Sequence, residues 1–266
     1  MKLILISILL LLPFSVFIGD GQQEIVVGPG ESIQNAVNNT STGDTVWVKS
    51  GIYFEHVYID KRISLYGWNT GGGDPIIDGG NGVGSAITLS AGSDGTEIQG
   101  FRMRNSNEAG IKVNNSSGNY IGYIAANNNE YGVLVESSSG YNDIGANIEA
   151  STFYGNDYGI RLDSSNNYVI QRNTVSNNNH GIYLTSSSDN NIKGNDLSNI
   201  GGHDSYDDAE ASQDDPGSNY WDGNRFTNHN SPHKIPGGLS VDYNPTSKKT
   251  NIPNIAGARH RSPKNK

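Results

Sequence analysis

The sequence predicts an all-β chain wound as a right-handed parallel β-helix, with about 22 residues per coil, a short N-terminal capping helix and an irregular C-terminal cap. Three observations predict it. First, Gly110–Val113, Gly132–Val135, Gly159–Leu162 and Gly181–Leu184 share the order glycine, aliphatic, variable, aliphatic, with glycines 22, 27 and 22 residues apart. Second, the last two blocks superpose at a shift of 22: Ile160 on Ile182, Leu162 on Leu184, Ile170 on Ile192, Asn173 on Asn195 and Val175 on Leu197. Third, the apolar spacing is two rather than three or four, in segments full of Asn, Ser and Gly, which describes short strands and not helices.

One such unit cannot bury its apolar face alone; stacking Ile on Ile and Leu on Leu does so. This accounts for a 266-residue chain that is only 34% hydrophobic, with a mean hydropathy of -0.54. Of its 34 Asn, 21 fall between residues 101 and 200. Asn tolerates the left-handed backbone of sharp corners. Stacked in register, its amide also hydrogen-bonds from one coil to the next. A disordered polar tract would not keep Ile and Leu in register.

In chain order, Met1 to Ile18 reads as a secretory signal, with Lys2 ahead of an apolar run and Gly19 and Gly21 near a cleavage point. An uncleaved anchor is the alternative, though the run is short for a full span. Gln22 to Val27 is a strand. Ser32 to Val37 forms one or two helical turns with Ser32 as N-cap, and Ile33, Ala36 and Val37 cover the open end of the stack. Thr45 to Val48, Gly51 to Ile59, Ile63 to Gly67, Ile76–Ile77, Ala86 to Leu89 and Ile98 to Met103 lead into the clear repeats. The pattern stops near Ile200. His203 to Asp215 is read as an acidic loop, and Asn219 to Pro245 as a cap in which Trp221 and Phe226 cover the last coil. The domains are therefore a signal or anchor at 1–21, the β-helix with its caps at 22–245, and a basic disordered tail at 246–266.

A net charge of -9 argues against nucleic acid as a partner. No segment beyond the N-terminal one suits a membrane. The absence of Cys removes disulfides and a lipoprotein anchor. The expected location is secreted, periplasmic or cell-surface. Asn38, Asn39, Asn114 and Asn115 begin glycosylation sequons.

Gly30 to Val37, Gly43 to Val48, Gly51-Ile52-Tyr53 and Ile63 to Gly67 resemble the opening of pectin-lyase-like β-helices. The Gly-Ile-Tyr-Leu and Asn-Asn-Ile blocks are similar to NosD-type repeats, as are Asn219-Tyr220-Trp221 and Ile235 to Pro245 near the end. The resemblance covers residues 25 to 245 and implies the fold. For function it implies either a periplasmic factor in copper-enzyme maturation, or polysaccharide lyases, hydrolases, epimerases and surface proteins.

The residues themselves constrain that choice. Cu(I) prefers thiolate and thioether ligands. The chain has no Cys, two Met including Met1, and six scattered His: His56, His180, His203, His229, His233 and His260. Ligand content thus argues against copper. Asn179-His180-Gly181 looks like a hydrolase motif, but the other coils place Ala109, Tyr131 and Tyr158 in the His180 slot, so no catalytic residue is assigned. The outward slot Lys112, Leu134, Arg161, Tyr183 is not a catalytic stripe. The acidic loop supplies Asp204, Asp207, Asp208, Asp214 and Asp215 as candidate ligands for Ca²⁺, a hard cation. Tyr131, Tyr158 and Tyr183, with Arg161, either offer rings and a cation to a sugar or pack along the coil edges. The expectation is a non-catalytic binding or structural β-helix that recognises a polysaccharide or surface glycan. A lyase or epimerase is the alternative, and a copper-maturation factor the second.

Overall fold

The computed structural model describes residues 14–17, 21–80, 82–144, 151–198, 201–210, 218–228, 230–247 and 263, with 14–17 and 139–144 described by backbone only. Most of the expected signal and of the basic tail lie outside the described residues, as do Asp214, Asp215, His229 and His260. The chain is a right-handed parallel β-helix. Each coil contributes one strand to each of three sheets.

The first sheet runs from Gln23–Val27 through Thr45–Lys49 and Ser64–Trp68 to Tyr220–Asp222. Phe14–Phe17 pairs antiparallel on its outer edge. The second sheet runs from Ile52–Tyr53 to Asp196–Ser198, and the third from Val57–Ile59 to Ser205–Asp207. The Gly-aliphatic blocks are the central strands of the third sheet: Ala109–Asn114, Tyr131–Glu136, Tyr158–Asp163 and His180–Thr185. The helix is Ile33–Asn38, capped by the Ser32 side chain and burying Ile33, Ala36 and Val37. The Glu55 carboxylate reinforces the cap, accepting the Ile33 and Gln34 N–H groups.

The core is a set of one-residue columns. Ile25, Val46, Leu65, Ile98 and Ile121 stack in the first sheet, and Ile170 and Ile192 lead to Trp221, which closes the column fully buried. Val133, Ile160 and Ile182 do the same in the third. The repeat glycines have a steric cause and no unusual φ. A Cβ on Gly110 would lie 2.7 Å from the Ala126 methyl and 2.8 Å from the Gly132 carbonyl oxygen. One on Gly159 would collide with Val175 Cγ1. Successive coils approach too closely there for any side chain.

Asparagine performs both expected tasks, but different Asn residues perform them. At each corner a residue with positive φ precedes a buried polar one: Asn128 (56°) before Asn129, Gly155 (66°) before Asn156, Asn177 (55°) before Asn178, Arg172 (53°) before Asn173. The buried member builds a ladder. Asn178 Oδ1 accepts both the backbone N–H (2.9 Å) and the side-chain Nδ2–H (3.1 Å) of Asn156, whose own Oδ1 serves Asn129 in the same way. Asn173, Asn195 and Asn224 form a second ladder, and Asn190 and Asn219 a third. Ser116, Ser138, Ser165 and Ser187 line the remaining corner. The backbone N–H groups of Ser116, Asn129, Ser138, Asn156, Ser165, Asn173, Asn190 and Asn195 thus find acceptors one coil later.

The acidic segment differs from the expected loop. Ser205–Asp207 is a strand that continues the third sheet. The apolar pattern ends near Ile200 because polar groups fill the core slots of this coil: Asp207 takes the place of Leu184 and is fully buried. Two ladders end on carboxylates. Asp242 accepts both N–H groups of Asn224, and Asp207 accepts Nδ2–H of Asn219. A ladder that hands donors forward needs an acceptor-only group at its end, which a carboxylate supplies.

Candidate functional site

The third sheet brings the sequence-nominated residues together on its outer surface. At the strand entrances, register places Tyr131, Tyr158 and His180 in one column. Three residues on, Leu134, Arg161, Tyr183 and Tyr206 form a second. Tyr131 and Tyr158 stack at 5.3 Å, and Tyr158 and His180 at 4.6 Å. Tyr183 and Tyr206 stack with nearly parallel planes at 4.2 Å, and Tyr158 meets Tyr183 edge-on. The Arg161 guanidinium sits 5.3 to 5.9 Å from the rings of Tyr131, Tyr158 and Tyr183, tying the columns together. The rings are half-buried. Their faces are largely spent on one another, so the platform presents ring edges and hydroxyls to solvent rather than the flat faces expected. Tyr206, His180 and His203 complete the cluster. Tyr206 escaped sequence reasoning because it lies past the point where the apolar pattern ends, yet its place one coil after Tyr183 was a usable signal.

The platform lies between two rows of acids. Glu130 and Asp157 precede Tyr131 and Tyr158 in the chain, and Glu136 and Asp163 close the same strands in register. Lys112 is held between Glu108 (2.5 Å) and Glu136 (2.9 Å). Burial would lower the Lys112 pKa, but these two carboxylates reverse the effect and hold it above its ordinary value. Arg161 faces Asp163 at 3.6 Å. Burial, and then the neighbouring Glu130, push the Tyr131 hydroxyl up to about 12, against the opposing charge of Arg161. Burial also raises Tyr183, helped by Tyr206 and Tyr158. Burial lowers His180; His203 and Arg161 add to this, and Asp157 opposes it. Near neutral pH the two tyrosines are protonated and His180 is neutral.

The described acids of the proposed Ca²⁺ group serve separate purposes. Asp207 Oδ2 accepts from Trp221 Nε1 (2.9 Å) and Ser240 Oγ (2.6 Å), and its Oδ1 from Asn219 Nδ2 (2.9 Å) and Ala209 N (3.0 Å). Asp204 holds the N–H and hydroxyl of Thr227, and Asp208 holds the Ser186 N–H. Among the described residues no three His, Asp or Glu gather as a metal site. Met103 is sealed in the core. His56 Nδ1 is engaged with the Ser85 carbonyl, and the His233 ring stacks on Phe226 at 3.8 Å.

Among solved structures, the chain is similar to an alginate lyase from Paenibacillus sp. str. FPU-7, with TM-score 0.55 and 11% identity over 84% of this chain and 96% of that one. A pectate lyase, Pel9A, aligns with TM-score 0.47 and 12% identity over 85% and 67%. The complex of XylC with xylose aligns with TM-score 0.47 and 12% identity over 75% of this chain, which spans only 37% of that one. At such identities the likeness is one of fold. No curated protein sequence matches the chain. The family model described as periplasmic copper-binding protein (NosD) matches residues 37–258, and the chain belongs to that family.

Proposed function

We propose that this NosD-family β-helix is an exported, non-catalytic glycan-binding protein whose binding surface is the Tyr131–Tyr158–Tyr183–Tyr206 platform. The observation that carries the reading is the register: rings recur coil after coil on one half-exposed sheet. Coils repeat about every 4.8 Å, comparable to the advance of one sugar along an extended linear polysaccharide. The platform then meets successive sugars with successive hydroxyls and ring edges. The apolar N-terminal segment and the periplasmic family support export.

Binding is favoured over lyase or epimerase action by the charges on this face. Those reactions on uronates need a cation free to neutralise a substrate carboxylate beside a base. Here Lys112 is matched by two carboxylates, and Arg161 by Asp163 and three rings. Copper, for which the family is named, does not fit the described donor set. That set has no thiolate, its one thioether is buried, and its imidazoles join no group of three metal-ligating residues.

The test is a glycan array with the full chain, read together with assays for unsaturated uronate products and bound metal. A linear glycan should bind without product formation. Tyr158→Ala and Tyr183→Ala should weaken binding at least tenfold while the circular dichroism spectrum stays unchanged. Tyr183→Phe, which keeps the ring, covers the case in which the alanine variants fail to fold. Absence of any glycan binding overturns the reading, and product formation overturns its non-catalytic part.

A further inference from the structure

We infer that the glycan on this platform is a linear polymer of amino sugars, carrying protonated amines and lying parallel to the solenoid axis. This rests on the glycan-binding reading above and narrows its ligand class.

The argument is one of charge against geometry. Along the third-sheet strands Ala109–Asn114, Tyr131–Glu136 and Tyr158–Asp163, counting the residue before each, Glu108, Glu130, Glu136, Asp157 and Asp163 stand against Lys112 and Arg161. The cations are not spare: each already faces acid within the sheet. Two of the acids form no ion pair with Lys or Arg among the described residues, and Asp157 also faces His180. Glu130 hydrogen-bonds the Tyr131 hydroxyl, and Asp157 accepts from Asn179 Nδ2 at 2.7 Å. Both border the ring column of Tyr131, Tyr158 and His180 on the same edge, one coil apart.

A polyuronate laid along this column would bring carboxylates beside Glu130 and Asp157 with no unmatched cation to meet them, and would be repelled. A neutral polymer would be tolerated. An amino-sugar polymer gains on two counts. Each ammonium reaches a carboxylate at coil spacing, and the tyrosine hydroxyls, held protonated by burial, hydrogen-bond the sugar hydroxyls. The acids alone would suit any cation. The ring columns in register select a repeating linear ligand.

Calorimetric titration of the full chain with four hexasaccharides tests the inference: the glucosamine hexamer, its N-acetylated counterpart, cellohexaose and hexagalacturonate. The pH is slightly acidic, where the sugar amines are charged. The glucosamine hexamer should bind at least tenfold more tightly than its acetylated form, with a preference that shrinks as salt is raised. The paired variant Glu130→Gln/Asp157→Asn should remove most of that preference, weakening the glucosamine hexamer more than its acetylated form; an unchanged preference overturns the inference. Equal or tighter binding of the acetylated hexamer or cellohexaose overturns the inference while the glycan-binding reading stands. Preference for hexagalacturonate overturns the inference in the same way. If none of the four binds and the array is also blank, the reading itself fails.

Discussion

Asp207→Asn replaces one acceptor atom with a donor at a fully buried site where four donors converge. Whichever way the new amide turns, its NH₂ faces either Trp221 Nε1 and Ser240 Oγ, or Asn219 Nδ2 and the Ala209 N–H. Ser240 can rotate to accept, but an indole N–H and an amide NH₂ cannot. One or two buried donors are therefore stranded, at about 1–3 kcal/mol each. The expected loss is about 2–4 kcal/mol, and it is local. A solenoid is stabilised by nearest-neighbour contacts, so the last coil should open before the rest. The assay is urea denaturation followed by tryptophan fluorescence, with Trp47 and Trp68 replaced by Phe so that only Trp221 reports, compared with far-UV circular dichroism. The fluorescence transition should move to lower urea and separate from the circular dichroism transition. A stability loss below about 0.5 kcal/mol refutes the structural assignment. So does a Ca²⁺-dependent gain in the parent protein that Asp207→Asn abolishes, which would restore the metal-ligand alternative.

Asn195→Ala deprives the Asn173 N–H and Nδ2–H of their shared acceptor and the Ile170 carbonyl of its donor; chemical denaturation should show a loss of about 2–4 kcal/mol. Gly159→Ala drives a methyl into Val175 and should cost about 1–3 kcal/mol, with Val175→Ala in the same chain recovering part of it in a double-mutant cycle. Burial pushes Asp78 up, but its bonds to Arg104 (2.7 Å), Asn105 and the Gly80 N–H outweigh this, so its pKa lies below the ordinary value of 3.8. Its stabilising contribution is then present above that value and lost as pH falls through the lower, folded-state value. Asp78→Asn should accordingly flatten the acid limb of the stability–pH curve, measured by thermal melts in acidic buffers.

The columns Ile160–Ile182 and Leu162–Leu184 were legible because burying a stack requires one apolar residue at one slot in every coil, and a repeat displays that directly. Ser32 at the helix start and Trp221 in the final cap were legible from local chemistry. Two things were not. Asp207 looked like one acid of a solvated loop, since nothing in its neighbours in sequence reveals that Asn219, Trp221 and Ser240 fold over it. The repeat glycines marked the period without explaining it; their cause is a collision with the next coil, 16 or more residues away.

The tyrosines show the same division. Sequence alone placed Tyr131 and Tyr158 at one slot of successive coils and Tyr183 at the slot of Arg161 one coil later, since matching slots in a solenoid must lie above one another. It could not tell whether the rings would turn their faces outward or toward each other. Tertiary structure decided that, because coil spacing leaves two aromatic rings in adjacent slots little choice but to stack. Sequence by itself therefore determined the architecture, the period and the columns. Only the packed structure decided which polar groups are sealed, which faces remain open, and that the ring columns run between carboxylates whose charge the local cations do not cancel.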